Sequence, residues 1–172
     1  MSPRVIAGRY GGRRLKAPPG DATRPTADRV REALFSILGA RVPGARVLDL
    51  FAGSGALGLE ALSRGAQAVT FVERAPAALA ALGADAAVER AEALRWLRGA
   101  SDGARQYDLV FLDPPYRRAA ELGAPLSELL PAVLAPGALV IAECDRRSPL
   151  ELTITATDER RYGDTLIRIH AA

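Results

Sequence analysis

The stretch Val47-Leu48-Asp49-Leu50-Phe51-Ala52-Gly53-Ser54-Gly55-Ala56-Leu57-Gly58 carries an apolar strand into a glycine-rich turn and on into a helix. Strand, loop and helix in that order are the unit of α/β folds, and the chain downstream repeats it. Strands are expected at 46–51, 68–73, 107–112 and 138–144, with helices at 56–64, 91–98 and within 119–134. Pro76 opens a further short helix to Leu82. The last segments, 150–155 and 165–169, alternate in the manner of an antiparallel pair. Upstream, Thr26 caps a helix whose Val30, Ala33, Leu34, Ile37 and Leu38 form an apolar stripe, with Arg29, Arg31 and Glu32 opposite. Residues 1–24 read as a basic hairpin or arm around Gly8, Gly11 and Gly12. The 172 residues thus predict a single α/β domain. It has a mostly parallel twisted sheet, an antiparallel C-terminal strand pair and helices on both faces.

Gly53, Gly55 and Gly58 satisfy G-x-G-x-x-G, and Glu73 stands twenty residues after Gly53. Such spacing is a dinucleotide fingerprint. Asp49 argues against that reading, because it lies four residues before Gly53, where a pyrophosphate would sit. The repulsion would be about 1 to 4 kcal/mol at ~4 Å, for effective dielectrics of about 80 to 20. S-adenosylmethionine has no phosphate; its ammonium and sulfonium would be attracted by the same acid. Glu73 is placed to accept hydrogen bonds from ribose hydroxyls, a role common to both cofactors.

Asp113-Pro114-Pro115-Tyr116 ends the apolar run at 107–112. Prolines stop the strand there, so the acid and the ring lie at a strand tip, where open α/β sheets bind ligands. Charge is uneven: residues 1–46 hold ten of the 23 Lys and Arg but three of the 20 Asp and Glu, a net of +7 that leaves the remainder at −4. A polyanion partner is expected at Arg9, Arg13, Arg14, Lys16 and Arg24. One cysteine, Cys144, excludes an internal disulfide and a cysteine-based metal cluster. It reads as a core thiol, Trp96 as a packing residue and His170 as a frayed end. No apolar run is long enough to span a bilayer and no signal peptide is evident, so a cytoplasmic protein without membrane association is expected.

The segment 47–61 together with Asp113 to Tyr116 resembles amino-directed, S-adenosylmethionine-dependent methyltransferases with a Rossmann-like class I fold. Arg24-Pro25-Thr26-Ala27-Asp28-Arg29-Val30-Arg31-Glu32-Ala33-Leu34-Phe35 and Arg161-Tyr162-Gly163-Asp164-Thr165 narrow this to the bacterial RsmD-like family, which methylates a guanine N2 amine in small-subunit ribosomal RNA. The resemblance implies that Asp49, Gly53 and Gly55 hold the methionine part of S-adenosylmethionine, Glu73 the ribose and Glu92 the adenine amine, with Ala52 also among the cofactor-binding residues. S-adenosylhomocysteine would be the product, no metal would be needed, and the partner would be ribosomal RNA or the small subunit, met by a monomer. Asp113 and the Pro114 carbonyl would each accept an amine N–H, the prolines Pro114 and Pro115 would lock the backbone, and Tyr116 would stack on the base. Tyr162 could line the base pocket or cap the sheet edge. Three alternatives stand beside this reading: an adenine-N6 or other amino methyltransferase, a nicotinamide oxidoreductase and a non-catalytic RNA-binding protein.

Overall fold

Each central strand alternates between two apolar faces, and the sheet is buried on both sides. The structure is a computed structural model and describes residues 3–16, 28–76, 86–100 and 104–172. Strands β1 (Arg46–Asp49), β2 (Ala68–Glu73), β3 (Ala86–Arg90), β4 (Tyr107–Leu112), β5 (Leu134–Asp145), β6 (Ala156–Tyr162) and β7 (Thr165–Ala171) form one sheet in the order β3-β2-β1-β4-β5-β7-β6. The first five run parallel, and β7 lies antiparallel between β5 and β6. The helices are α1 (Asp28–Leu38), α2 (Ala56–Ser63), α3 (Ala93–Ala100) and α4 (Ala119–Leu129). On one face Val47, Phe71, Phe111, Ile141 and Ile169 pack with Leu34 and Phe35 of α1 and Leu59 of α2. On the other, Leu48, Val72, Val110, Val140 and Cys144 meet Leu97 of α3 and Leu122 and Leu126 of α4.

Three expectations about the strands and the C-terminus are corrected. Strand β3 follows residues 77–82, whose expected helix lies outside the described residues apart from Pro76. It was not expected, because it is an edge strand with Ala87 and Val88 exposed and no apolar alternation. The partner of β7 is the polar segment β6 and not 150–155. Leu150, Leu152 and Ile154 alternate because they pack as a loop on the α3/α4 face. His170 is no frayed end: it is 2% exposed within β7, and its Nδ1–H donates to the Ile154 carbonyl at 2.8 Å. Burial pushes its pKa down, which keeps the ring neutral.

The described part of the N-terminal arm is a hairpin closed by Val5 N–H to Arg13 O, Gly12 N–H to Val5 O and Leu15 N–H to Pro3 O. Glu60 of α2 holds it, accepting from Ile6 N–H at 2.7 Å, Ala7 N–H at 3.1 Å and Arg64 Nε at 2.7 Å. Arg31, expected on the solvent face, is instead fully buried. Its guanidinium reaches the Arg4 carbonyl, Asp28 and Glu60, so the arm needs a charge inside. Ile37 is 39% exposed in its stead. Glu60→Ala strands two backbone N–H groups and two guanidinium partners, which is expected to lower the melting temperature by about 10 °C. A thermal melt checks this; an unchanged melting temperature would show that the arm is not held through Glu60.

Candidate active site

Strand β1 pairs β2 on one side and β4 on the other, so the direction of chain crossover reverses there. In an open parallel sheet that reversal leaves a crevice beyond the carboxyl ends of the strands. Gly53 at φ 53° and Gly55 at φ 78° are left-handed, and together they turn the chain from β1 into α2. A Cβ on Gly58 would lie 2.4 Å from Phe71 Cε1, so this glycine lets α2 lie close against β2. The G-x-G-x-x-G spacing therefore serves a tight turn and a close helix–strand approach here.

Asp49 is 1% exposed, and its Oδ2 accepts the Gly58 N–H at 2.9 Å. That amide belongs to the first turn of α2 and has no partner within the helix, so the carboxylate caps the helix from the strand below it. Burial pushes the Asp49 carboxyl up to about 7; the Gly58 N–H opposes this and the Glu73 charge adds to it. Glu73 braces the loop as well, accepting Gly53 N–H at 2.9 Å and Ala75 N–H at 3.0 Å. A carboxylate offers about four lone-pair directions, so ribose hydroxyls can still bond there. Ala52 is buried, and its N–H donates to Val72 O at 3.1 Å.

Glu92 stands just before α3 and accepts the Arg95 N–H through Oε2 at 2.9 Å, a helix cap. Its Oε1 is buried without a hydrogen-bond partner. An orphaned buried acceptor near the tips of β2 and β3 suits an adenine amine, and with Asp49, Glu73 and the glycine turn the donor set fits S-adenosylmethionine.

Asp113 leaves β4 one residue after Leu112. Burial first, then the charges of Glu143 and Asp49, hold its carboxyl well above the usual carboxylate range. Pro114 is buried, Pro115 is exposed with ψ 130°, and Tyr116 is half-buried at the start of a short 3-10 turn. The tetrapeptide thus places a half-buried acid, a proline-fixed carbonyl and a half-buried ring in succession.

The hairpin residues sit elsewhere. Arg9 N–H donates to Ser63 O at 2.8 Å and Tyr10 N–H to Ser63 Oγ at 2.8 Å. Ser63 ends α2, the end that leads back to the amino termini of the strands. Arg9 and Arg13 flank the Tyr10 ring, 4.6 and 6.0 Å from its centroid. The eight residues of α2 span about 12 Å, which separates this tip from the glycine turn. Arg14 and Lys16 are exposed on the returning strand of the hairpin, and Arg24 lies outside the described residues. Tyr162 packs against the α1/α2 face at the end of β6. Glu143, a buried acid of β5, was missed by sequence reading because it lies inside the apolar run Val140-Ile141-Ala142-Glu143-Cys144 and belongs to no motif. Among the described residues no three His, Cys, Asp or Glu side chains are set to hold a metal ion, and no helix is long and apolar enough to cross a membrane.

The chain is similar to several known proteins. YlbH of Bacillus subtilis is 38% identical over 184 residues, 97% of each chain. Ribosomal RNA small subunit methyltransferase D of Escherichia coli is 46% identical over 123 residues, 67% of this chain and 61% of that protein, so the match spans just under two thirds of that relative. The solved structure of Escherichia coli yhhF superposes with a TM-score of 0.83 at 35% identity, covering 99% of this chain and 98% of that one. The family described as conserved hypothetical protein 95 matches residues 3–171, and the chain belongs to it, an RsmD-like S-adenosylmethionine-dependent methyltransferase with a Rossmann-like class I fold.

Proposed function

We propose that the protein methylates the exocyclic N2 amine of a guanine in small-subunit ribosomal RNA. The observation that carries the chemistry is the adjacency of Asp113 to Asp49 at the strand tips, which sets an amine-accepting acid beside a cation-binding loop. The relative named for small-subunit ribosomal RNA and the basic hairpin support RNA as the substrate. When bound, S-adenosylmethionine supplies an electrophilic methyl group on a cationic sulfur.

The protein's own residues have a different task, since an exocyclic amine delocalises its lone pair into the ring. Asp113 accepts one N–H and the Pro114 carbonyl the other, which turns the lone pair out of the ring plane. Both acceptors are fixed beforehand by the strand end and the prolines, and alignment supplies much of the acceleration. Tyr116 stacks on the target base, which must leave its helix to reach it. Asp49 draws the cofactor's cationic centre toward the turn, while Glu73 and the free Oε1 of Glu92 take the ribose and the adenine amine.

Arg9 and Arg13 meet phosphates remote from the target base, with Arg14, Lys16 and Arg24 extending the basic surface. These contacts give salt-dependent affinity with little base preference. The expected product, from labelled S-adenosylmethionine and small subunits of a strain lacking the protein, is N2-methylguanosine at one position. N6-methyladenosine, or label in DNA alone, would overturn the substrate assignment and spare the chemistry. Stabilisation by NADH, with none by S-adenosylhomocysteine, would overturn both.

A further inference from the structure

An amine is methylated only while its nucleotide is held in line with the methyl group, and the hairpin tip lies about 12 Å away at the far end of α2. Cations closer to the site stand beyond the tips of β4 and β5. Leu112, the last residue of β4, pairs with Ala142, and β5 continues for three more residues that stay paired with β7. Strand β6 keeps pace, since Tyr162 pairs with Thr165 and Thr165 with Asp145. At about 3.3 Å per residue, these three strands rise about 10 Å beyond the end of β4. They form a ledge on the β5 side of Asp113, whereas the glycine turn and Glu73 follow β1 and β2 on the other side.

Two Arg-Arg steps cap this flank, Arg117-Arg118 after β4 and Arg146-Arg147 after β5. In each, the second arginine is spent on acids. Arg118 Nε meets Glu121 at 2.5 Å, and Arg147 bridges Asp145 at 3.3 Å and Asp164 at 3.4 Å. The first arginine of each step is exposed, and its side chain makes no ion pair among the described residues. The Asp145 carboxyl is held below its usual range by the Arg147 N–H and guanidinium, with the Arg146 charge adding least. Both backbones are braced: Arg118 N–H donates to Pro115 O at 2.8 Å, closing the turn that carries Arg117, and Arg146 N–H donates to Asp164 O at 2.8 Å. On β6, by contrast, Arg160 and Arg161 are both paired, with Asp158 and Glu159.

We propose that Arg117 and Arg146 form a phosphate-binding rim that holds the RNA backbone flanking the target guanine. The proposal rests on the methyl-transfer reading above. A guanidinium presents its N–H donors in a fork that matches phosphate oxygens, and cations on braced backbone lose less freedom on binding. The RNA strand lies along the β5 side, the cofactor keeps the β1 side, and Tyr116, the residue before Arg117, receives the base between them.

The test is the double variant Arg117→Gln/Arg146→Gln in the full chain. For a fluorescent single-stranded RNA of about 12 nucleotides, the slope of log affinity against log salt should lose about 1.4, from two phosphates at about 0.7 each. With ribosomal RNA from a strain lacking the protein, KM should rise about 10-fold, while kcat at saturation and affinity for S-adenosylhomocysteine stay within about 2-fold. Arg95→Gln removes an exposed cation of α3 and should leave KM unmoved. An equal rise in that control would mean that only net charge counts and would overturn the rim. An unchanged salt slope in the double variant would overturn it too, and if methylation then proceeds with KM unmoved, the methyl-transfer reading stands alone. If no RNA is methylated but the slope falls in the double variant and not in the control, that reading fails and the rim stands. A loss seen with assembled subunits and not with free RNA would assign the two arginines to a protein partner and overturn the proposal.

Discussion

Asp113→Ala is expected to lower kcat for methyl transfer by about 10²- to 10⁴-fold while leaving affinity for S-adenosylhomocysteine within a few-fold. The side chain acts on the amine, at the tip of β4, and none of the loop-bracing hydrogen bonds from Gly53, Gly58 or Ala75 pass through it. Asp113→Asn separates its two roles. The amide oxygen still accepts an N–H, so alignment is partly kept, but it cannot take the proton, and the loss should lie between wild type and the Ala variant. Single-turnover measurement with saturating RNA and calorimetric titration of S-adenosylhomocysteine check the two halves. A near-native rate for Asp113→Ala would remove the acid from the mechanism.

The second large effect concerns Asp49. Its pKa is raised from 3.8 to about 7 by burial, so the native state holds a proton that the unfolded chain gives up above pH 4. Fewer protons bound in the unfolded state mean that stability falls as pH rises from about 4 to about 7, then levels. The full shift corresponds to at most about 4 kcal/mol. Asp49→Asn retains an acceptor for the Gly58 N–H and removes the titration. Without ligand it should melt at a higher temperature than wild type at pH 8, with the difference closing toward pH 5. Its affinity for S-adenosylmethionine should drop by about 10- to 10³-fold, because the charge facing the cofactor's cationic centre is gone. Equal melting temperatures at both pH values, together with unchanged affinity, would mean that Asp49 serves only to cap α2.

Much of the site was legible in local sequence because its parts are local. The turn between β1 and α2 needs glycines at the left-handed positions 53 and 55, and a strand stopped by Pro114 and Pro115 must deliver Asp113 at its tip. Glu92, expected at the adenine amine, caps α3 with one oxygen, and its other oxygen is buried and unpaired. Arg31 was misread because an arginine on a helix is normally a solvent residue. Here the carbonyl of Arg4 and the carboxylates of Asp28 and Glu60 make a charged interior position tolerable.

By itself the sequence determined an α/β sheet with a glycine turn after β1 and a proline-stopped tip after β4, because apolar alternation and turn chemistry act over a few residues. Only the tertiary structure decided the edge strands β3 and β6, which are held by backbone pairing and expose their side chains, so no periodicity marks them. It also decided that the hairpin tip rests at the far end of α2, and that Glu143 lies close enough to Asp113 for its charge to act on it. Both depend on which strands become neighbours and in what register, and that is set by burial of the whole sheet between two layers of helices.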